Sequence, residues 1–147
     1  MAINSIFGIS ASGMSVEMTR VDVATRNIAN SHATRGVDGK SYVPLKVVST
    51  AIAAQNFQSQ LAAFANGEIP GAAKIQEIVE LNVAPRMVHE PGHPDADAQG
   101  NVAYPNVDLL TEMLTLTEAS RVYEANVQAF NAAKSMAMRT LDIGGHK

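Results

Sequence analysis

Cysteine and tryptophan are absent from the 147 residues, and aromatic side chains make up only 5%. Without cysteine there is no disulfide, no thiolate metal site and no cysteine nucleophile, and the chain fits any redox compartment. Charge is also sparse. Charged residues amount to 17%, the net charge is −3 and no long basic run exists, so nucleic-acid binding has little electrostatic support. No uncharged apolar run approaches the ~20 residues that span a bilayer, and no direct membrane insertion is expected. The opening "MAINSIFGIS" lacks a charged segment followed by an apolar core, so no cleaved secretory signal is visible. Proline is missing from both ends, because all six prolines fall between Pro44 and Pro105.

What is present is an apolar share of 46%, carried by Ala, Val, Ile, Leu and Met. Such a mixture suits helices that pack closely through small side chains. Phe7, Met14, Val21 and Ile28 recur every seven residues, and Ala11, Met18 and Thr25 follow the first three by four. That spacing predicts a helix over 4–30 with a stripe for another helix. Gly8 and Gly13 weaken its first turns by about 1 kcal/mol each relative to Ala, and Asn30 can cap its end.

From Asp108 to Ile143 there is no Pro or Gly. Asn106 or Asp108 can cap a second helix, with Glu112 in its first turns, where the helix dipole favours acid. Met113, Leu116, Ser120, Tyr123, Val127, Phe130, Ala137 and Leu141 mark a stripe at spacings of three and four, with Lys134 the charged interruption. Ala119, Asn126, Ala133 and Thr140 widen it with small residues.

Between these helices the period changes. Residues 41–50 and 72–81 are rich in Val and Ile, and 86–90 form a third short strand candidate. Residues 51–68 fit helix and extended loop equally. The fold class is therefore mainly α. Long N- and C-terminal helices pack as a coiled-coil-like pair, with a small irregular β-rich middle section. The divisions are an N-terminal assembly helix (1–30), a central section (31–106), a C-terminal assembly helix (107–143) and a tail (144–147).

The stretch "PGHPDADAQGNVAYPNVD" (91–108) looks most like chemistry. Counted from Asp95 as a calcium loop, its fifth and twelfth positions hold Gln99 and Asn106, where an acid or amide and then a bidentate Glu are needed. Prolines 91, 94 and 105 also oppose the flanking helices. His89 and His93 with Asp95 form a weak zinc or iron candidate, against a turn-rich loop braced by Pro and Asp. "TRGVDGKS" (34–41) ends like a phosphate loop, but Thr34 stands at the first glycine position and extended sequence follows. "GISASG" (8–13) lacks the spacing of a nucleophile elbow. No enzyme activity, metal or cofactor is expected.

The long polar-flecked stripes remain as the specific feature. They read as assembly surfaces or as a soluble helical adaptor or chaperone that binds partner helices as a small oligomer. At this point "NIANSHATRG" (27–36) resembles the asparagine-rich signature of the flagellar axial proteins: rod, hook and hook-associated. "GHPDADAQGNVAYPNVDLLTEM" (92–113) and "ASRVYEANVQAFNAAKSMAMRTLDIG" (119–144) are similar to the C-terminal half of its proximal-rod members. Ala33 departs from the wider signature, which carries threonine in that region.

The resemblance implies a basal-body rod subunit, exported by the flagellum's own type III apparatus without a cleaved signal. It would assemble in the periplasm with copies of itself and other rod proteins into a helical tube. That tube transmits torque and carries the export channel. Residues 91–108 would then be a proline-braced connection that directs the C-terminal helix. The expected assembly residues are Phe7, Met14, Met18, Val21 and Ile28 on one helix, and Leu116, Tyr123, Val127, Phe130 and Leu141 on the other. Asn27, Asn30, Asn126 and Asn131 are candidates for register and intersubunit hydrogen bonds.

Overall fold

The structure, a computed structural model, describes residues 2–36, 39–52 and 69–145, with the single positions 58, 61 and 65. Its elements run α1 (Ala2–Ala29), β1 (Leu45–Ala51), β2 (Ala73–Glu80), β3 (Arg86–His89), β4 (Asn101–Tyr104) and α2 (Leu109–Gly145). The ambiguous segment 51–68 lies largely outside the described residues. No described helix is long and apolar enough to cross a membrane.

The two helices make the most extensive contact between elements. They run antiparallel. Near one end the Phe7 and Phe130 rings lie 4.9 Å apart, and near the other Asn27 Nδ2 donates to Glu112 Oε1 at 2.9 Å. Asp108 is the N-cap of α2: its Oδ1 accepts from Leu110 N at 3.1 Å and its Oδ2 from the Thr111 hydroxyl at 2.7 Å. Those bonds satisfy amide and hydroxyl donors that the first turn leaves unpaired. The Thr111 hydroxyl, then the Leu110 N–H, hold the Asp108 carboxyl below its ordinary pKa. At its far end α2 continues through Gly144 and Gly145, past the tail boundary expected at 144.

Strands β1 and β2 form an antiparallel ribbon from Leu45↔Glu80 to Ala51↔Ala73, with a register shift between Val48 and Ser49. Ser49 pairs with Ile75 after Val48 pairs with Glu77, so Gln76 is the extra residue of a β-bulge. The ribbon sits against α1. Ser12 Oγ accepts from Ala73 N at 3.0 Å, and Arg20 donates to Ser49 Oγ at 3.0 Å. Strands β3 and β4 make a second hairpin, Arg86↔Tyr104 to His89↔Asn101.

β4 is a departure from the sequence reading, in which 91–108 was one connection. Its four residues are too short for a visible alternation, and the strand exists because Asn101–Tyr104 finds β3 across an eleven-residue excursion. Val102 is wholly buried there.

The seam between the helices also differs from expectation. The fully buried side chains of α1 are Ser10, Val16, Glu17, Val23, Ala24 and Asn27, followed by Ser31 just beyond it. On α2 they are Ala119 and Ala133. The centre of the seam is thus small and polar. The large residues Phe7, Met14, Val21 and Ile28 flank it, half-exposed. Small side chains win the centre because they let the backbones approach. The two glycines read as weak points allow close approach on two sides of α1, Gly13 toward α2 and Gly8 toward Ile69. A Cβ on Gly13 would come within 2.9 Å of Asn126 Nδ2, and one on Gly8 would overlap Ile69 Cδ1.

Candidate assembly surface

Asn27 is the most fully bonded side-chain amide among the described residues. Its side chain is fully buried and makes four hydrogen bonds. Nδ2 donates to Leu45 O at 2.8 Å and to Glu112 Oε1 at 2.9 Å. Oδ1 accepts from Leu45 N at 2.9 Å and from the Tyr42 hydroxyl at 2.9 Å. One amide therefore ties the end of α1, the start of β1 and the first turn of α2 together. Its two donors and two acceptor positions are all used within the chain, so it does not fit the intersubunit hydrogen bonding expected of it. Burial pushes the Tyr42 hydroxyl up, Arg26 opposes this and Glu112 adds to it, so Tyr42 stays a donor.

The other asparagines are placed differently. Asn30 Nδ2 donates to Arg26 O at 2.8 Å and closes the helix end. Asn126 Nδ2 donates to Val122 O at 3.0 Å, with its amide beside Gly13. Asn131 is exposed.

The apolar candidates form one face. Arg20 and Ser12 mark the side of α1 that meets the ribbon. Phe7, Met14, Met18, Val21 and Ile28 occupy the flank turned away from it. By helical spacing in an antiparallel pair, Leu116, Tyr123, Val127 and Phe130 lie on the same flank of α2. The Phe7–Phe130 ring contact joins the two rows. Phe7, Met14, Val21, Ile28, Leu116, Val127 and Phe130 are half-buried. Met18 is 54% exposed, Tyr123 37% and Leu141 75%. Isolated surface hydrophobics are ordinary, whereas a row of this length is a candidate contact surface.

The loop that looked like a metal site is built as a turn. Asp97 Oδ1 accepts from Gln99 N at 2.9 Å and Asn101 N at 2.8 Å, and the Asp97 amide donates to Asn101 O at 2.9 Å. Asp95 reaches back to the asparagine-rich segment. Its Oδ2 accepts from the Thr34 hydroxyl at 2.8 Å and its Oδ1 lies 3.5 Å from Arg35. Tyr104 receives the edges of His32 and His93 and donates to Glu90 Oε2 at 2.9 Å. That bond is the main reason its hydroxyl is raised in pKa, with burial and the Glu90 charge adding and Arg86 opposing. Among the described residues, no three His, Asp or Glu side chains converge as a metal site. Thr34, Arg35 and Asp95 together form a latch between the chain's signature segment and its β hairpin.

Sequence reasoning missed this latch and the buried Ser10, Glu17 and Ser31. The seven-residue spacing of Ser10, Glu17, Ala24 and Ser31 was the available signal, hidden because the row is polar.

Residues 98–143, which carry the end of the loop, β4 and most of α2, match the family described as flagellar basal body rod FlgEFG protein C-terminal. The flagellar basal-body rod protein FlgC of Escherichia coli O6:H1 is 38% identical over 144 residues, covering 98% of this chain and 99% of that one. Its counterpart in Salmonella typhimurium is also 38% identical over 144 residues, with the same coverage. The Bacillus subtilis protein of that name is 39% identical over 142 residues, covering 92% of this chain and 94% of that one.

Proposed function

The chain belongs to the FlgC family of flagellar basal-body rod proteins and is a structural component of the basal body, and from that premise we propose that it polymerises through its helix pair into a tube. The observation that supports this is the apolar flank away from the β ribbon, with Met18 54% and Tyr123 37% exposed. Its contacts are head-to-tail. A surface offered to a different surface of the next subunit, at a rotation that does not close, builds a helical polymer. Phe7, Met14, Met18, Val21, Ile28, Leu116, Tyr123, Val127, Phe130 and Leu141 supply the apolar contact. Asn30, Asn126 and Asn131 are the remaining polar candidates on the pair, and Asn27 sets the register within each subunit.

The partners are copies of the chain, other rod proteins and the flagellar export apparatus. The assembly stands in the periplasm, reached without a cleaved signal, where it transmits torque and carries the export channel. Full-length relatives that are rod proteins favour this reading over a soluble helical adaptor. Gene deletion followed by electron microscopy of isolated basal bodies tests it. Rods should be missing without the chain and restored with it. Complete rods in its absence contradict the reading.

A further inference from the structure

Three histidines meet at the β3–β4 hairpin. His32 follows α1, His89 ends β3, and His93 stands in the excursion between β3 and β4. His32 and His93 turn their edges to the Tyr104 ring, with centroids 6.4 and 6.3 Å away. Arg86 sets its guanidinium over the same ring, 5.9 Å from the centroid. Two acids face this cluster. Glu90 accepts the Tyr104 hydroxyl, and Asp95 is turned to Thr34 and Arg35. Lys40 borders the shallow pocket that Asp95 also lines.

His93 does more than pack. Its Nδ1 accepts from the Asp95 amide, two residues on, at 3.1 Å. A ring nitrogen that accepts from an N–H carries no proton, so the contact requires neutral imidazole with its hydrogen on Nε2. Backbone bonds hold the ring's own position: His93 N donates to Glu90 O at 3.0 Å, and Ala96 N donates to His93 O at 3.1 Å. The lone pair of this one ring therefore helps to aim the carboxylate that ties the hairpin to the signature segment.

Protonation reverses the contact. A proton on Nδ1 would face the amide proton of Asp95, donor against donor. If the ring turns away, the Asp95 amide loses its acceptor. If the imidazolium draws the Asp95 carboxylate instead, that carboxylate leaves Thr34 and Arg35. Both routes undo the latch. Charge adds to the effect, because Arg86 with protonated His32 and His93 would place three cations around one tyrosine ring. Glu90 offsets only part of this, being already engaged by the Tyr104 hydroxyl.

We propose that His93 is a proton switch on the Thr34–Asp95 latch, holding it shut when neutral and releasing it when protonated. Histidine changes charge between about pH 5 and 8, so the latch is shut at the upper end of that range and open at the lower. The bond exists only with the neutral ring, so its contribution is lost as pH falls. The bonds of Asn27 and the Asp108 cap involve no histidine and stay in place over the same range. This inference stands apart from the rod reading.

Nuclear magnetic resonance of the purified full-length chain tests it. From about pH 8 to about pH 5 the Asp95 amide should lose protection by about ten-fold beyond intrinsic exchange, as expected for one hydrogen bond, in step with titration of the His93 ring. His93→Asn keeps an acceptor for the amide two residues on, as an Asx turn, but has no proton to gain. It should stay latched at both ends of the range. His32→Gln and His89→Gln should leave the transition in place. A response that survives in His93→Asn, or that vanishes with either of the other two, overturns the assignment to His93. Should His93→Asn disturb the loop even at high pH, the wild-type chain decides alone. An Asp95 amide still protected after the His93 ring has protonated overturns the proposal.

Discussion

The helix seam and the β3–β4 loop are held together by opposite means. The seam is long and buries small residues such as Ala24, Ala119 and Ala133, sets Gly13 against Asn126, and has one dense polar knot at Asn27. The loop is mostly exposed and is defined by individual bonds to Asp95, Asp97 and Tyr104. The seam should therefore fail cooperatively and the loop locally.

The largest effect is expected at Asn27. Asn27→Leu removes four hydrogen bonds at once and leaves the part-buried Leu45 amide and Tyr42 hydroxyl without this partner. A loss of about 3 kcal/mol is expected, since each orphaned group costs ~1–3 kcal/mol. Urea unfolding of the purified chain measures it. A loss no greater than that of an exposed substitution would separate the polar knot from the stability of the pair.

Phe130→Ala comes next. A fully buried Phe costs roughly 3–5 kcal/mol on truncation, but Phe130 is half-exposed in the isolated chain and meets the Phe7 ring at a tilt. About 1–2 kcal/mol is expected in the same unfolding assay. A double-mutant cycle with Phe7→Ala should show coupling of about 0.5–1.5 kcal/mol, and strict additivity would remove the ring contact from the account.

Asp95→Ala should act only on the latch. Loss of the Thr34 bond and the exposed Arg35 pair is expected to cost about 1 kcal/mol. Amide exchange should quicken over residues 90–101 and stay unchanged along α2. Acceleration throughout α2 would mean that loop and seam are one cooperative unit.

These contrasts explain what was legible beforehand. Both helices announce themselves by period, and α2 also by a run without Pro or Gly that leaves few alternatives to a helix. The face each helix buries was harder. Phe7, Met14, Val21 and Ile28 outweigh Ser10, Glu17, Ala24 and Ser31 on any hydrophobic count, yet the latter row takes the seam centre. Hydrophobicity reports what seeks burial somewhere, including against another subunit, whereas close packing inside the chain rewards small volume. Asp95 and Asp97 drew attention because carboxylates cluster in metal loops, but turn formation uses the same residues. The Thr34–Asp95 bond spans 61 positions, beyond the reach of any local pattern.

The smallest expected effect is the pH dependence of the α2 cap. Asp108 has a lowered pKa in the folded chain, so its stabilisation is present above its unfolded pKa and lost as pH falls through the folded one. Amide exchange at residues 109–112 should accelerate on acidification, and Asp108→Ala should remove that dependence. A first turn indifferent to both changes would mean that the cap bonds do not govern it.

The central claim is that the apolar flank away from the ribbon is an intersubunit face rather than unused core. Met18→Glu tests it most directly, because Met18 is 54% exposed on the flank turned away from the ribbon. Complementation of a strain lacking the chain, with unfolding of the purified variant measured alongside, is the measurement. The account predicts an unfolding midpoint close to wild type together with loss of rods and motility. Normal rods and motility with Met18→Glu would contradict it.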